Sequence, residues 1–151
     1  MTQPRNLGAF ADNLNSSGIL QTTGGGTGVT TSTGTGSVML NTNPTITNYV
    51  ETPYSANSST AITLALTNGT VQIITLTGNA TITMPTAVSG KSFTLLLKQD
   101  ATGSRTVTWS TVSWPGGTAP TITSTASKLD KYVFISDGTS WFGSTAGQNY
   151  T

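Results

Sequence analysis

From about residue 54 onward, apolar and polar positions alternate with a period of two. In residues 61–67, Ile62, Leu64 and Leu66 share one face of an extended strand. Asn68-Gly69 follows, a pair suited to a two-residue hairpin because both central residues need positive φ. Residues 71–77 read as the return strand. Their phase slips between Ile73 and Ile74, which predicts a bulge or burial on both faces. Gly78-Asn79 reads as a second hairpin turn, and residues 80–84 as the third strand of a meander. That strand ends at Pro85, which cannot continue a central ladder.

The most apolar strand covers residues 91–98, with Phe93, Leu95 and Leu97 on one face, and it turns back at Asp100 into residues 105–109. Residues 112–117 read as a loop and residues 120–124 as a short edge strand. Residues 130–136 and 140–142 form a last hairpin around Asp137-Gly138. Short strands punctuated by glycine-rich turns predict an all-β fold, an antiparallel β-sandwich or barrel head spanning residues 54–151. Its expected core is Ile62, Leu64, Leu66, Leu76, Ile82, Phe93, Leu95, Leu97, Val107, Val133, Ile135 and Trp141. The closing residues 144–151 are polar and are expected to be exposed or paired with a neighbour.

Residues 1–53 have a different texture. Leu7, Phe10, Ala11 and Leu14 are spaced to lie on one face of a short helix, with Asn6 and Gly18 as its caps. Such a helix is marginal alone and needs a partner to bury its stripe. These four residues are the candidate docking set, which would pack on another protein or on sister chains, and a loosely ordered tail is the alternative. A glycine- and threonine-rich run, residues 24–37, follows. Its backbone entropy is too large for a monomeric core, so it reads as an extended arm that orders only when identical chains pack around it. No Lys-Ser or Lys-Thr follows its glycines, which argues against a phosphate loop.

Composition narrows the function classes. Charged residues make up 7% of the chain, against about a quarter in an ordinary soluble domain, and roughly a fifth of the chain is threonine. A net charge of +1 supplies no electrostatic footprint for nucleic acid. A charge-poor surface also repels copies of itself weakly. The chain has no cysteine and no histidine, which excludes disulfides, thiolate metal sites and the commonest general base. No secretory signal and no membrane-spanning run are expected.

Several segments carry a resemblance. Asn6-Leu7-Gly8, then residues 14–18, then Gly24-Gly-Gly-Thr-Gly-Val-Thr-Thr31 resemble the N-terminal part of tailed-phage fibre proteins. Residues 76–85, 91–100, 112–117 and Asp137-Gly-Thr-Ser-Trp-Phe142 resemble a distal fibre module. Their order along the chain is more specific than any one of them. The resemblance implies a homotrimer with a role in virion attachment or host contact, located on the virion and made in the host cytoplasm. The chain is much shorter than a usual tail fibre and has one glycine-rich block, so a capsid-decorating head fibre is the alternative.

Candidate chemistry is sparse. The acids are Asp12, Glu51, Asp100, Asp130 and Asp137. A glycosidase would need two of them about 5 to 9.5 Å apart. Asp100 and Asp137 sit in expected turns, where aspartate mimics a backbone turn, and Asp130 lies between Lys128 and Lys131. The expectation is therefore a non-enzymatic protein with no catalytic residue, metal or cofactor. A second class is a carbohydrate-binding module, for which Trp114, in a loop, and Tyr132 are the candidate glycan contacts. The expected partners are sister chains, other virion proteins through the arm, and host surface glycan.

Overall fold

The computed structural model describes residues 49–151 together with Leu14 and Ser16. Tyr49–Thr151 forms a compact unit. It is all-β, with nine strands and two single 3-10 turns: β1 (Tyr54–Asn57), β2 (Ala61–Thr63), β3 (Val71–Leu76), β4 (Ala80–Thr83), β5 (Ser92–Gln99), β6 (Val107–Ser110), β7 (Val112–Ser113), β8 (Leu129–Ser136) and β9 (Trp141–Tyr150). The six-stranded sheet has the order β1-β3-β5-β8-β9-β7, and β2-β4-β6 forms a second, smaller sheet. The sheets curl into a half-barrel.

The pairing corrects the expected antiparallel meander. β1, β3 and β5 run parallel to one another in the large sheet, and β2, β4 and β6 run parallel in the small one. Each of three successive coils therefore gives one strand to each sheet. Only the end of the stack is antiparallel, where β8 pairs with β5 and β9 with β8.

Neither of the first two expected hairpins forms. Leu66–Asn68 closes a 3-10 turn, with Asn68 N–H donating to the Ala65 carbonyl and Gly69 N–H to that of Leu66. Gly69 has φ of 90°, but Asn68 stays at negative φ, so the mirror-image turn a hairpin needs is absent. Side chains take over the backbone groups a hairpin would pair. The Gln72 amide donates to the Ala65 and Gly69 carbonyls, and the Glu51 carboxylate accepts from Thr70 and Val71 N–H.

Gly78-Asn79 is a corner between the two sheets, not a return. It stacks on the corner of the preceding coil: Ser58 N–H donates to the Thr75 carbonyl, Ser59 N–H to Thr77 Oγ1 and Thr77 N–H to Ser58 Oγ. Asn79 Oδ1 accepts from Thr106 N–H in the next coil. A Cβ at Gly78 would lie 3.0 Å from the Ser59 carbonyl oxygen, so a larger residue would have to push the two corners apart by a few tenths of an ångström.

The last expected hairpin is present. Asp137 Oδ1 accepts from Thr139 and Ser140 N–H, each at 2.8 Å, and Gly138 takes φ of 102°. β9 then runs on through the polar tail, so residues 144–150 pair with β8. Residues 120–124 are not a strand. Their backbone is bonded by side chains, with Gln99 donating to the Thr123 carbonyl and Gln148 to that of Thr121.

The core holds Leu64, Ile74, Leu76, Ile82, Met84, Phe93, Leu95, Leu97, Trp114, Tyr132, Phe134 and Trp141, with Ile62, Leu66 and Val107 packed at its margin. The phase of β8 is opposite to the one expected. Tyr132 and Phe134 point inward, and Val133 and Ile135 face solvent. Both phases are apolar, so alternation could not choose between them. The larger aromatic pair wins the interior, where Phe134 stacks on Phe93 with ring centroids 5.1 Å apart. In β3 the slip resolves as burial of Gln72, Ile74 and Leu76, with Ile73 half-buried.

Gln99 is buried and serves three backbone groups, donating to the Arg105 and Thr123 carbonyls and accepting from Arg105 N–H. Replacing it with Leu orphans all three. Gln99→Leu is expected to lower stability by about 2 kcal/mol, and urea denaturation followed by circular dichroism measures it. An unchanged midpoint would mean that water replaces those bonds without loss.

Candidate interaction surface

β5, β8 and β9 present their second face outward. In register, Ser92, Ile135 and Phe142 form one row across the three strands, and Val71, Thr94, Val133 and Ser144 form the next. Ile73, Leu96 and Lys131 form the third. Val133 is 38% exposed, Ile135 56% and Phe142 44%. Tyr49 borders the same face and bounds a groove of about 310 Å³ with Thr70, Val71, Ser92, Phe93, Thr94 and Val133. Isolated surface hydrophobics are normal, whereas Val133, Ile135 and Phe142 cluster on one sheet face, which makes that face the candidate for an interaction. Alternation alone could not reveal this band, because its residues look like a second core.

The sequence-predicted sites fall elsewhere. Trp114 is 8% exposed and Tyr132 is fully buried, so neither ring offers a face to a sugar in solvent. Trp114 belongs to the core because its ring packs edge-on against Trp109, Tyr132 and Phe134, with centroids 5.2, 5.9 and 5.8 Å away. The loop that carries it is anchored by that ring. Leu7, Phe10 and Ala11 lie outside the described residues. Leu14 is described, half-buried in an isolated β-bridge and not in a helical turn.

The described acids are each committed to hydrogen bonds. Asp100 pairs with Arg105 at 2.8 Å and accepts from Thr102 and Gly103 N–H; Arg105 above all holds its carboxyl below the usual range. Asp137 is lowered by the two N–H groups of its turn. Glu51 is lowered chiefly by the Thr70 hydroxyl. Asp130, 2% exposed, accepts from Thr123 N–H, Asn149 N–H, the Gln148 amide and the Tyr132 hydroxyl. Burial and then the Asp130 charge push the Tyr132 phenol well above its ordinary value. Asp12 lies outside the described residues. Among the described residues, no group of three metal-ligating side chains comes together.

A family model described as "Putative phage tail fibre C-terminal domain" matches residues 52–141, more than half of the chain. The chain belongs to this tail fibre family. No curated protein and no solved structure matches it. The match spans all three coils, β8 and the start of β9; Val133 and Ile135 of the apolar face lie within it and Phe142 just beyond it. The role of this tail fibre domain is structural, as a component of the phage particle.

Proposed function

We propose that the tail fibre domain works as a homotrimer that displays a rigid head for attachment to the host. The subunits would meet through the outer face of the large sheet. The observation that carries this reading is the band of Val133, Ile135 and Phe142, flanked by Val71, Ile73 and Leu96, on a chain with few charges to keep copies apart. A closed oligomer buries this face and shields the sheet edges from open-ended aggregation. The family description supports the tail over the capsid surface as the location. Residues 1–53, including Leu7, Phe10, Ala11 and Leu14, would join the head to other virion proteins. The function is mechanical and adhesive, with no catalytic step and no cofactor.

Sedimentation velocity of the purified chain tests the reading. A trimer is expected, and Ile135→Asp together with Phe142→Asp should dissociate it into folded monomers. A wild-type chain that sediments as a monomer over its whole soluble range overturns it. So does a trimer that the double substitution leaves intact.

A further inference from the structure

Two features stand on opposite sides of the outer face of the large sheet. One is the groove of about 310 Å³ whose lining includes Tyr49, Val71 and Val133. The other is the exposed Phe142 side chain on β9. Both lie at the same end of the sheet, where Val71 opens β3 and Phe142 is the second residue of β9. The strand order between them is β3-β5-β8-β9. Three strand spacings, about 14 Å, therefore separate Val71 from Phe142 within one chain. Phe142 does not line the groove of its own chain. Among the described residues, neither Phe142 nor Tyr49 has an aromatic partner.

Polarity confines close approach to that end. The row of Ser92, Ile135 and Phe142 carries no charge, and neither does the row of Val71, Thr94, Val133 and Ser144. Cations enter in the rows beyond, with Lys131 beside Leu96 and Lys98 beside Thr75. Copies that meet through this face would set lysine against lysine there, which favours contact through the two uncharged rows.

Symmetry decides which parts meet. The uncharged rows reach from β3 to β9, and their midline falls between β5 and β8. When three such faces close around an axis, the middle strands lie nearest the axis. The β9 side of each face then meets the β3 side of the next. Two different patches make the contact, and the ring closes with neither left open.

We propose that Phe142 of each copy enters the groove of the next copy, against Tyr49 and Val71, while Ile135 of all three copies meets at the axis. The pairing rests on the trimer reading above and gives it a direction, protruding ring to groove around the threefold. The contact supplies Phe142 and Tyr49 with the aromatic partner that each lacks in its own chain.

The chain has no cysteine, so an engineered pair reports alone. In the full-length Val71→Cys/Phe142→Cys variant the two thiols of one chain are too far apart for a disulfide, which needs Cα atoms within about 7 Å. Mild oxidation followed by non-reducing electrophoresis should give a covalent trimer joined by 71–142 bonds, and each single variant should run as a monomer. A covalent dimer would mean two faces packed about a twofold axis and overturns the ring. A protein that sediments as a trimer yet forms no 71–142 bond overturns this pairing and leaves the trimer reading standing. A protein that sediments as a monomer overturns both. Charge exchange at two exposed positions gives a second reading without oxidation. Tyr49→Glu and Phe142→Lys should each weaken the trimer, and the double variant should associate at least about tenfold more tightly than either single one. Equal or weaker association of the double variant overturns the pairing.

Discussion

Asp130→Ala is expected to lower the stability of the head by about 3 kcal/mol and to loosen the end of β9 first. The carboxylate is almost fully buried, and among the described residues no cation pairs with it. It is held by dipoles: Thr123 N–H at 2.7 Å, Asn149 N–H at 2.9 Å, the Gln148 amide at 3.1 Å and the Tyr132 hydroxyl at 3.2 Å. These donors come from the 118–124 segment, β8 and β9, so one side chain ties three stretches together. Alanine leaves four donors facing a void. Asp130→Asn keeps one acceptor but turns an amide N–H₂ toward backbone N–H groups, so it should cost about 2 kcal/mol.

The same site predicts an acid dependence. Burial alone raises the carboxyl, but the bonds from Thr123, Asn149 and Gln148 outweigh it and hold the acid below its ordinary 3.8. A carboxyl lowered in the folded state stabilises that state fully above the unfolded value and ceases to do so as pH falls through the folded value. The melting temperature should therefore fall as pH drops below about 4. Asp100, Asp137 and Glu51 are lowered too and contribute to that fall. The difference between wild type and Asp130→Asn isolates the buried group. The amide variant should lose less stability on acidification, and parallel curves for the two proteins would remove Asp130 as the cause.

The strands themselves were legible because polar residues, mostly threonine, alternate with apolar ones, and the Asp137-Gly138 hairpin was legible because its turn chemistry is local. The pairing partners were not. Asn68-Gly69 and Gly78-Asn79 carry hairpin signals, yet the bonds that decide the outcome come from Gln72, Glu51 and Ser58, at sequence distances that a turn rule does not reach. A polar residue on the inward face of a strand, such as Gln72 or Gln99, is the one local clue to a stacked coil. It reads as a defect in alternation until the carbonyls it serves are known. The apolar face was hidden for a related reason. Val133 and Ile135 have the sequence signature of a core, and only the competing aromatic phase, Tyr132 and Phe134, turns them outward. Trp114 was misplaced because a tryptophan beside Pro-Gly-Gly looks like a loop tip, whereas its ring fastens that loop to the core.

That fastening predicts a coupled pair. A Cβ added at Gly143 would lie 2.6, 2.8 and 2.9 Å from three atoms of the Trp114 ring. The ring is hemmed in by Trp109, Tyr132 and Phe134 and has little room to yield. Gly143→Ala is therefore expected to cost about 2 to 3 kcal/mol by overpacking, or to expel the ring and shift tryptophan emission to the red. Trp114→Ala should cost about 3 to 5 kcal/mol. Among the described residues the Trp114 indole N–H has no hydrogen-bond partner, so the loss is one of shape and apolar area. In the Trp114→Leu background the added methyl group at Gly143 meets no ring, so its cost should fall below about 1 kcal/mol. Chemical denaturation of the four proteins in this double-mutant cycle measures the coupling. Additive effects, with Gly143→Ala equally costly in both backgrounds, would mean that β9 is strained by the backbone itself and not by the tryptophan wedged against it.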